Sequence, residues 1–431
     1  MRSVDVLVAG AGASGMMAAI IAARGGSCVL VLEKKNRPGK KLLATGNGRC
    51  NYTNKVQAAE CYRSRCRDKA WEIIRSFDET DTVAWFREIG ILPGNRGGYL
   101  YPASFQASAV LRALEREMDR LGIEIHREEA VKEISLPSRR RERKAPEKGQ
   151  EGRARGGRYI VTGSRGRYIA DNVIVSTGGM AAPVHGSTGD GYRILEPLCL
   201  RMEPVYPALC SLTVEGKYAK KWAGNRLQGR VSLTADGQIL AEELGEIQLV
   251  SQGISGIPVF QVSRYAAQAL DEDRRVVLCL DSMPDWEEQD ILSELHRRIA
   301  RDGRQSAGDL LEGMLPDRFS GVLIERSNLK MAERSDGISE KALERLASNI
   351  KRLPVNICGT AGFEKAQVTS GGISLDEIDA HTMEVKSCPG LYLTGELLDV
   401  DGICGGYNLQ WAWSTGYLAG RAASGGKERE K

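Results

Sequence analysis

Residues 4–33 read VDVLVAGAGASGMMAAIIAARGGSCVLVLE. Val4, Val6 and the run Leu7, Val8, Ala9 have the continuous apolar character of a strand buried on both faces. The turn Gly10-Ala11-Gly12-Ala13-Ser14-Gly15 follows, a G-x-G-x-x-G. Residues 16–24 carry Ala, Met and Ile without proline and predict a helix. Gly25 and Gly26 end it, and residues 28–32 form a second apolar strand that closes on Glu33. Strand, glycine turn, helix, strand and acid make a complete βαβ unit.

Each residue type has a physical task. Gly10 permits the tight turn, Gly12 lets backbone approach a pyrophosphate, and Gly15 lets the helix pack close to the sheet. The start of the helix, at Ala13 and Ser14, offers unpaired N–H groups and a positive dipole end to phosphates. Glu33 stands where a carboxylate accepts hydrogen bonds from ribose hydroxyls, so the pattern suits FAD or NAD better than NADP. A glycine turn that binds nothing is the plain alternative, and the acid in register argues against it.

The chain has 431 residues, enough for two or three domains, and its 42% hydrophobic content supports a large core. No charged and apolar leader precedes the first strand, and no apolar run reaches the ~18 residues of a membrane span. Ten cysteines without a C-x-x-C pair fit a reduced, cytoplasmic chain. Four scattered histidines give no metal-ligand spacing. The net charge of +4 is local in origin. Residues 137–158 hold nine Lys/Arg against three Glu, and the remainder is slightly acidic. This basic stretch predicts a disordered loop, a solvated tip more than a nucleic-acid contact.

Along the chain, residues 34–54 show no periodicity and should cross a ligand. Residues 70–89 predict one amphipathic helix, residues 97–104 a turn or short strand pair, and residues 108–121 another helix. Residues 123–134 are strand-like with a break at Glu128 and Glu129, and residues 159–161 and 168–175 complete a β-meander. The last of these strands ends at Thr177-Gly178-Gly179. Composition divides the chain into a discontinuous α/β domain at 1–196 and 355–431, a β-rich insert at 197–284 and a helical piece at 285–354. Near the C-terminus a strand ends at Gly395-Glu396, and a glycine loop, LLDVDGICGGY, leads into a helix starting near Asn408. That helix start can face an electron-rich ring, whose developing negative charge a helix dipole stabilises.

Four stretches together resemble the HI0933-like flavoprotein family, related to the glutathione-reductase-type FAD fold. They are Gly10–Gly15 with Glu33, residues 39–54 with the word GRCN, residues 177–192, and residues 366–372 with residues 394–413 and the word CGGYNLQWA. The resemblance spans nearly the whole chain. It implies a Rossmann-like FAD-binding domain interrupted by an inserted β-barrel domain and a small helical subdomain. It implies that Gly12, Ala13, Ser14 and Gly15 meet the pyrophosphate, that Glu33 and Lys34 hold the adenosine ribose, and that Lys41 lies near it. Gly48, Arg49, Cys50 and Asn51 would lie along the isoalloxazine, and Val131 would contact adenine. Thr177 and Gly178 belong to the same set, as do Gly395 and Glu396 toward the ribityl–phosphate region. Asn408, Leu409 and Gln410 would face the pyrimidine edge, with Gly405 and Gly406 leaving room for substrate at N5. Cys50 reads better as a packing residue than as a redox thiol.

The expected reaction is hydride transfer between flavin N5 and a small or medium organic substrate. The resemblance offers NADH- or NADPH-driven reduction of a conjugated C=C in a 3-oxo steroid or bile-acid-like enone, or O2-dependent oxidation of an aminoketone. A non-catalytic or RNA-associated flavoprotein is a further reading, and a purely NAD-binding dehydrogenase is the weakest, because only one G-x-G-x-x-G is present. A donor nicotinamide would dock transiently. Tyr101, Tyr206, His185 and Tyr407 are polar residues in plausible loops, and no catalytic acid is assigned. The substrate is expected against residues 46–51, 204–209 and 402–407.

Overall fold

The computed structural model describes residues 1–135 and 158–425. The basic stretch at 137–157 lies outside the described residues, and its last member, Arg158, pairs with Asp171 at 3.2 Å. The chain forms two compact units, Met1–Val205 with Val368–Lys431, and Tyr206–Gln367.

The first unit is built on a seven-stranded sheet. The βαβ unit supplies β1 (Arg2–Ala9), α1 (Ala13–Arg24) and β2 (Val29–Glu33). Next come β3 (Glu124–Arg127), β4 (Val131–Ser135), β5 (Tyr159–Gly163), β6 (Arg167–Val175) and β7 (Leu391–Leu393). β3, β2, β1, β6 and β7 lie parallel in that order. β5 pairs antiparallel with the first half of β6, and β4 with β5, so the meander shares β6 with the parallel sheet. Both faces of β1 and β2 are covered, as their unbroken apolar runs require: Val6, Leu7, Val8, Leu30 and Val31 are fully buried.

Register does the positioning. Leu32 pairs with Ala9, Ala9 with Val175, and Val175 with Leu393. One residue beyond that line stand Glu33, Gly10, Ser176 and Thr394, side by side at the carboxyl edge of the sheet. In open α/β sheets this edge is where ligands bind.

The last helix, α2 (Tyr407–Ala423), packs on α1 at backbone distance. A Cβ on Gly416 would lie 2.4 Å from the Ser14 carbonyl oxygen, and one on Gly420 would lie 2.4 Å from that of Ala18. Two glycines four residues apart let the helices touch where any side chain would separate them. Trp411 and Trp413 anchor the same helix, their indole N–H groups donating to the carbonyls of Gly395 and Tyr52.

Two local expectations are corrected. Residues 70–89 form two helices, Arg67–Ser76 and Glu79–Glu88, because Asp78 caps the second through the amides of Thr80 and Asp81. Residues 34–54 contain the helix Lys40–Ala44, the 3-10 turn Thr45–Gly48 and the short strand Thr53–Asn54.

The second unit is a closed six-stranded antiparallel barrel with helices. Its strands, in order around the barrel, are Leu212–Val214, Gly253–Gly256, Gln238–Val250, Arg226–Ala235, Val276–Asp281 and Leu353–Thr360. The helix Ile257–Asp271 packs against all six. Leu353–Thr360 closes the barrel against Leu212–Val214, so residues 355–367, expected in the α/β domain, lie in this unit. The helices Glu288–Arg301, Asp317–Arg326 and Glu340–Lys351 share one hydrophobic core with the barrel, where Trp222 and Phe319 are fully buried. They pack within the same compact unit as the barrel.

Gly420→Ala is expected to lower the thermal unfolding midpoint, with a loss of about 1–3 kcal/mol from forcing a methyl group against backbone. Gly337→Ala is the control: it has ordinary φ and nothing within 4 Å of an added Cβ. An unchanged midpoint for Gly420→Ala would show that α1 and α2 can separate freely.

Candidate cofactor site

The glycine turn does what its spacing demands. Gly10 has φ +105°, and a Cβ there would sit 2.5 Å from the Ser176 carbonyl oxygen. At Gly15 a Cβ would sit 2.0 Å from the Gly10 oxygen, so helix and turn meet backbone to backbone. Gly12 differs. Its φ is −80°, and a Cβ would approach nothing closer than the Ser176 oxygen at 4.0 Å. Gly12 is not needed for protein packing; it borders open space. No side chain caps the start of α1, so the amides of its first turn face that space uncapped.

Glu33 lies beside the turn, nearly buried. Its carboxylate accepts from the Ala11 amide at 2.8 Å and the Lys35 amide at 2.7 Å, one to each oxygen. Each oxygen keeps lone-pair capacity for a ribose hydroxyl. Val131 opens β4 nearby, buried and at a break in ladder register, while the Glu129 amide donates to the Glu33 carbonyl.

The C-terminal loop reaches the same place. A Cβ on Gly395, at φ +68°, would lie 2.7 Å from Ser14 Oγ. Its amide donates to Thr415 Oγ1 at 3.0 Å, and the Ser176 and Thr394 hydroxyls pair at 2.7 Å. The two ends of the chain thus meet over the sheet edge. Thr177 and Gly178 continue β6 into this region, with Gly178 against Ser187.

Several predicted contacts are instead committed within the protein. Lys34 Nζ pairs with Asp190 at 2.6 Å; burial works to raise the Asp190 carboxyl, and Lys34 holds it below the usual range. Lys41 Nζ pairs with Glu396 at 2.6 Å, and Glu396 also accepts from the Thr369 amide and hydroxyl, both at 2.8 Å. Asn408 spends both ends of its amide on Gly402, at 2.8 Å each. Gln410 is fully buried; it accepts from Thr53 Oγ1 and donates to the Phe77 carbonyl and Ser414 Oγ. Both amide side chains are engaged within the protein. Leu409 is half-buried between them.

Gly406 is corrected as well. Its φ is +98°, and a Cβ would point at the Thr53 carbonyl oxygen 2.7 Å away, into protein. Gly405, at φ +131°, would place a Cβ 2.8 Å from Tyr99. These glycines are required by the turn, and a leucine at Gly406 would break the loop before it obstructed a substrate.

The loop at residues 46–51 is held in an uncommon conformation: Gly46, Asn47, Gly48 and Cys50 all have φ between +53° and +80°. Gly48 has nothing within 4 Å of an added Cβ, and Arg49 is exposed. Cys50 is fully buried, and burial pushes its thiol up to about 12, against a hydrogen bond with Thr45. Such a thiol is inert at neutral pH, as its reading as a packing residue requires. Asn51 Oδ1 is buried without a hydrogen-bond partner among the described residues, and it lies 2.9 Å from where a Gly406 Cβ would be. A buried acceptor left open calls for a donor. The open floor at Gly12, the uncapped helix and the acid at Glu33 fit the phosphates and ribose of FAD.

Of the polar candidates, Tyr407 is buried edge-on to Tyr62, and Tyr206 lies in the barrel unit, donating to Asp271 at 3.1 Å. His185 is half-buried; burial and the cations Lys41, Lys40 and Lys35 lower its pKa. Tyr101 is half-buried against Gly46. Ser176, Thr394, Thr369 and Thr415 were not singled out from sequence. Ser176 and Thr394 could have been, because each directly precedes a glycine-bearing strand end already recognised.

Residues 4–422 match the HI0933-like protein Rossmann domain. The chain belongs to that family. This HI0933-like chain is 38% identical over 419 residues to the 3-dehydro-bile acid delta(4,6)-reductase of Clostridium scindens, covering 97% of this chain and 98% of that one. It is 27% identical over 427 residues to the ribosomal RNA dihydrouridine synthase of Escherichia coli, covering 97% of each. Among solved structures, the 3-ketosteroid delta1-dehydrogenase of Sterolibacterium denitrificans matches 99% of this chain and 100% of its own, with a TM-score of 0.53 at 14% identity, a likeness of fold. The HI0933-like chain is an FAD-dependent oxidoreductase. No helix among the described residues is long and apolar enough to cross a membrane, and none of them form a metal-holding cluster of three or more His, Cys, Asp or Glu.

Gly12→Val is expected to abolish FAD retention while leaving the far-UV spectrum and the unfolding midpoint of the flavin-free protein unchanged, because the branches enter open space rather than protein. Normal flavin content in this variant would place the pyrophosphate elsewhere.

Proposed function

We propose that the protein saturates a carbon–carbon double bond conjugated to a carbonyl in a small organic substrate, with a nicotinamide nucleotide as electron donor. The observation that carries this is the end-to-end likeness to the bile acid delta(4,6)-reductase. By its name that relative acts on double bonds in conjugation with a 3-oxo group. The dihydrouridine synthases bear names for the same chemistry, since dihydrouridine is uridine with its carbonyl-conjugated bond saturated. The two kinds of relative differ in substrate and agree in bond type. At 38% against 27% identity, the steroid-like enone is the better reading for this chain.

FAD, when bound, supplies hydride transfer. The chain's residues bind and orient it. The amides at Ala13 to Gly15 and the space over Gly12 receive phosphate charge, and Glu33 takes ribose hydroxyls. The Gly395 turn closes against Ser14. Thr177, Gly178 and Gly48 border the site through backbone. Lys41 and Glu396 hold the C-terminal loop by their ion pair; Lys34 and Asp190 do so for the loop at 186–191. Only one G-x-G-x-x-G is present, so the nicotinamide donor docks transiently.

Anaerobic mixing of the purified yellow protein with NADH or NADPH is expected to bleach the flavin band, and a 3-oxo-Δ4 steroid acid is expected to restore it with consumption of one enone per flavin. Bleaching that only O2 reverses would favour an oxidase. No bleaching with either nucleotide would remove the nicotinamide from the account.

A further inference from the structure

The hairpin Pro93–Arg96/Tyr99–Pro102 joins the two glycine loops of the site. Its second strand turns Leu100 inward, 4% exposed, and alternation puts Tyr99 and Tyr101 on the other face. Tyr99 meets the C-terminal loop, 2.8 Å from where a Gly405 Cβ would be, and Asn54 Nδ2 donates to the Gly405 carbonyl beside it. Tyr101 meets the loop at 46–51, 3.5 Å from where a Gly46 Cβ would be. One strand face therefore touches both loops that would border the ring.

Two guanidinium groups stand around Tyr101. Arg96 lies over the Phe105 ring at 4.4 Å from its centroid, and Phe105 packs on Tyr101 with centroids 5.4 Å apart. Arg49 projects from the left-handed loop at 46–50. The Tyr101 phenol is raised by burial and by Tyr99, and pulled back by both Arg49 and Arg96. Among the described residues neither arginine forms an ion pair with Asp or Glu. Arg24, in the same unit, is by contrast shared between Glu117 and Glu88.

We propose that Arg49 and Arg96, gathered about Tyr101, recognise an anionic group on the molecule that meets the cofactor ring. This rests on the reading of the site as an FAD site. Guanidinium groups bind carboxylate and phosphate through paired N–H donors, and the phenol adds a third donor. The stacking of Arg96 on Phe105 holds its plane in place without a counter-charge. The anion has two sources of shared chemistry: a carboxylate on the organic substrate, or a phosphate of the nicotinamide donor.

Titration calorimetry on the purified protein separates them, using cyclohexanecarboxylate, its neutral amide and inorganic pyrophosphate as probes, with flavin content measured on the same sample. Binding of an anion but not of the amide is expected, weakened about tenfold or more in Arg96→Ala and in Arg49→Gln and partly restored in Arg96→Lys. Preference for the carboxylate assigns the site to the substrate, and preference for pyrophosphate to the donor. Equal binding of carboxylate and amide, no binding of either anion, or wild-type affinity in both arginine variants overturns the proposal. Absence of flavin in a sample that still binds the anion would instead count against the FAD reading.

Discussion

The whole cofactor edge depends on two helices touching without side chains between them. Gly416 and Gly420 bring α2 against the carbonyls of Ser14 and Ala18 in α1. That contact is unavailable to any residue with a Cβ. It draws the C-terminal strand β7 and its Gly395 turn onto the N-terminal glycine motif, more than 380 residues away in sequence. The indole of Trp411 then fixes the Gly395 carbonyl, and Thr415 its amide. Separate the helices and Gly395 leaves Ser14, the Ser176–Thr394 hydroxyl pair opens, and the helix dipole of α1 loses its enclosing loop.

The sheet register complements this. Gly10, Ser176 and Thr394 each follow the last paired residue of a parallel strand, and Glu33 is the last paired residue of its own, so four strand ends present one edge. A dinucleotide lying along that edge is met by backbone amides and small side chains rather than by a large set of specific cations. The lysines at 34 and 41 are neutralised by Asp190 and Glu396 and act as struts. Arg49 and Arg96, on the hairpin side, form no ion pair with Asp or Glu among the described residues.

Much of this was legible in the chain. The βαβ unit, the backbone contacts of Gly10 and Gly15, the meander and a β-rich insert follow from apolar periodicity and glycine placement, which sequence expresses directly, whereas the closed barrel was implied by the family resemblance. The barrel's last strand at Leu353–Thr360 was misplaced because an antiparallel closure between strands some 140 residues apart leaves no local signal. Asn408 and Gln410 looked like ligand contacts because amides near a glycine loop often are. Only the fold reveals that Gly402, Thr53 and Phe77 already occupy them. Gly406 was misjudged for a related reason: sequence tells that a glycine is present but not which way its missing side chain would point. Gly416 and Gly420 were not singled out from sequence, because a glycine spacing of four within a helix does not say which backbone it will meet.

We propose that the glycine motifs near both ends of the chain build one extended site for a single FAD. Release of the bound flavin from the natively purified protein by acid, with chromatographic identification and quantitation, addresses it most directly. One FAD per chain is expected, because Gly12 and Glu33 have no role toward a flavin lacking the adenosine half. Recovery of FMN, or of no flavin after reconstitution with FAD, would contradict it.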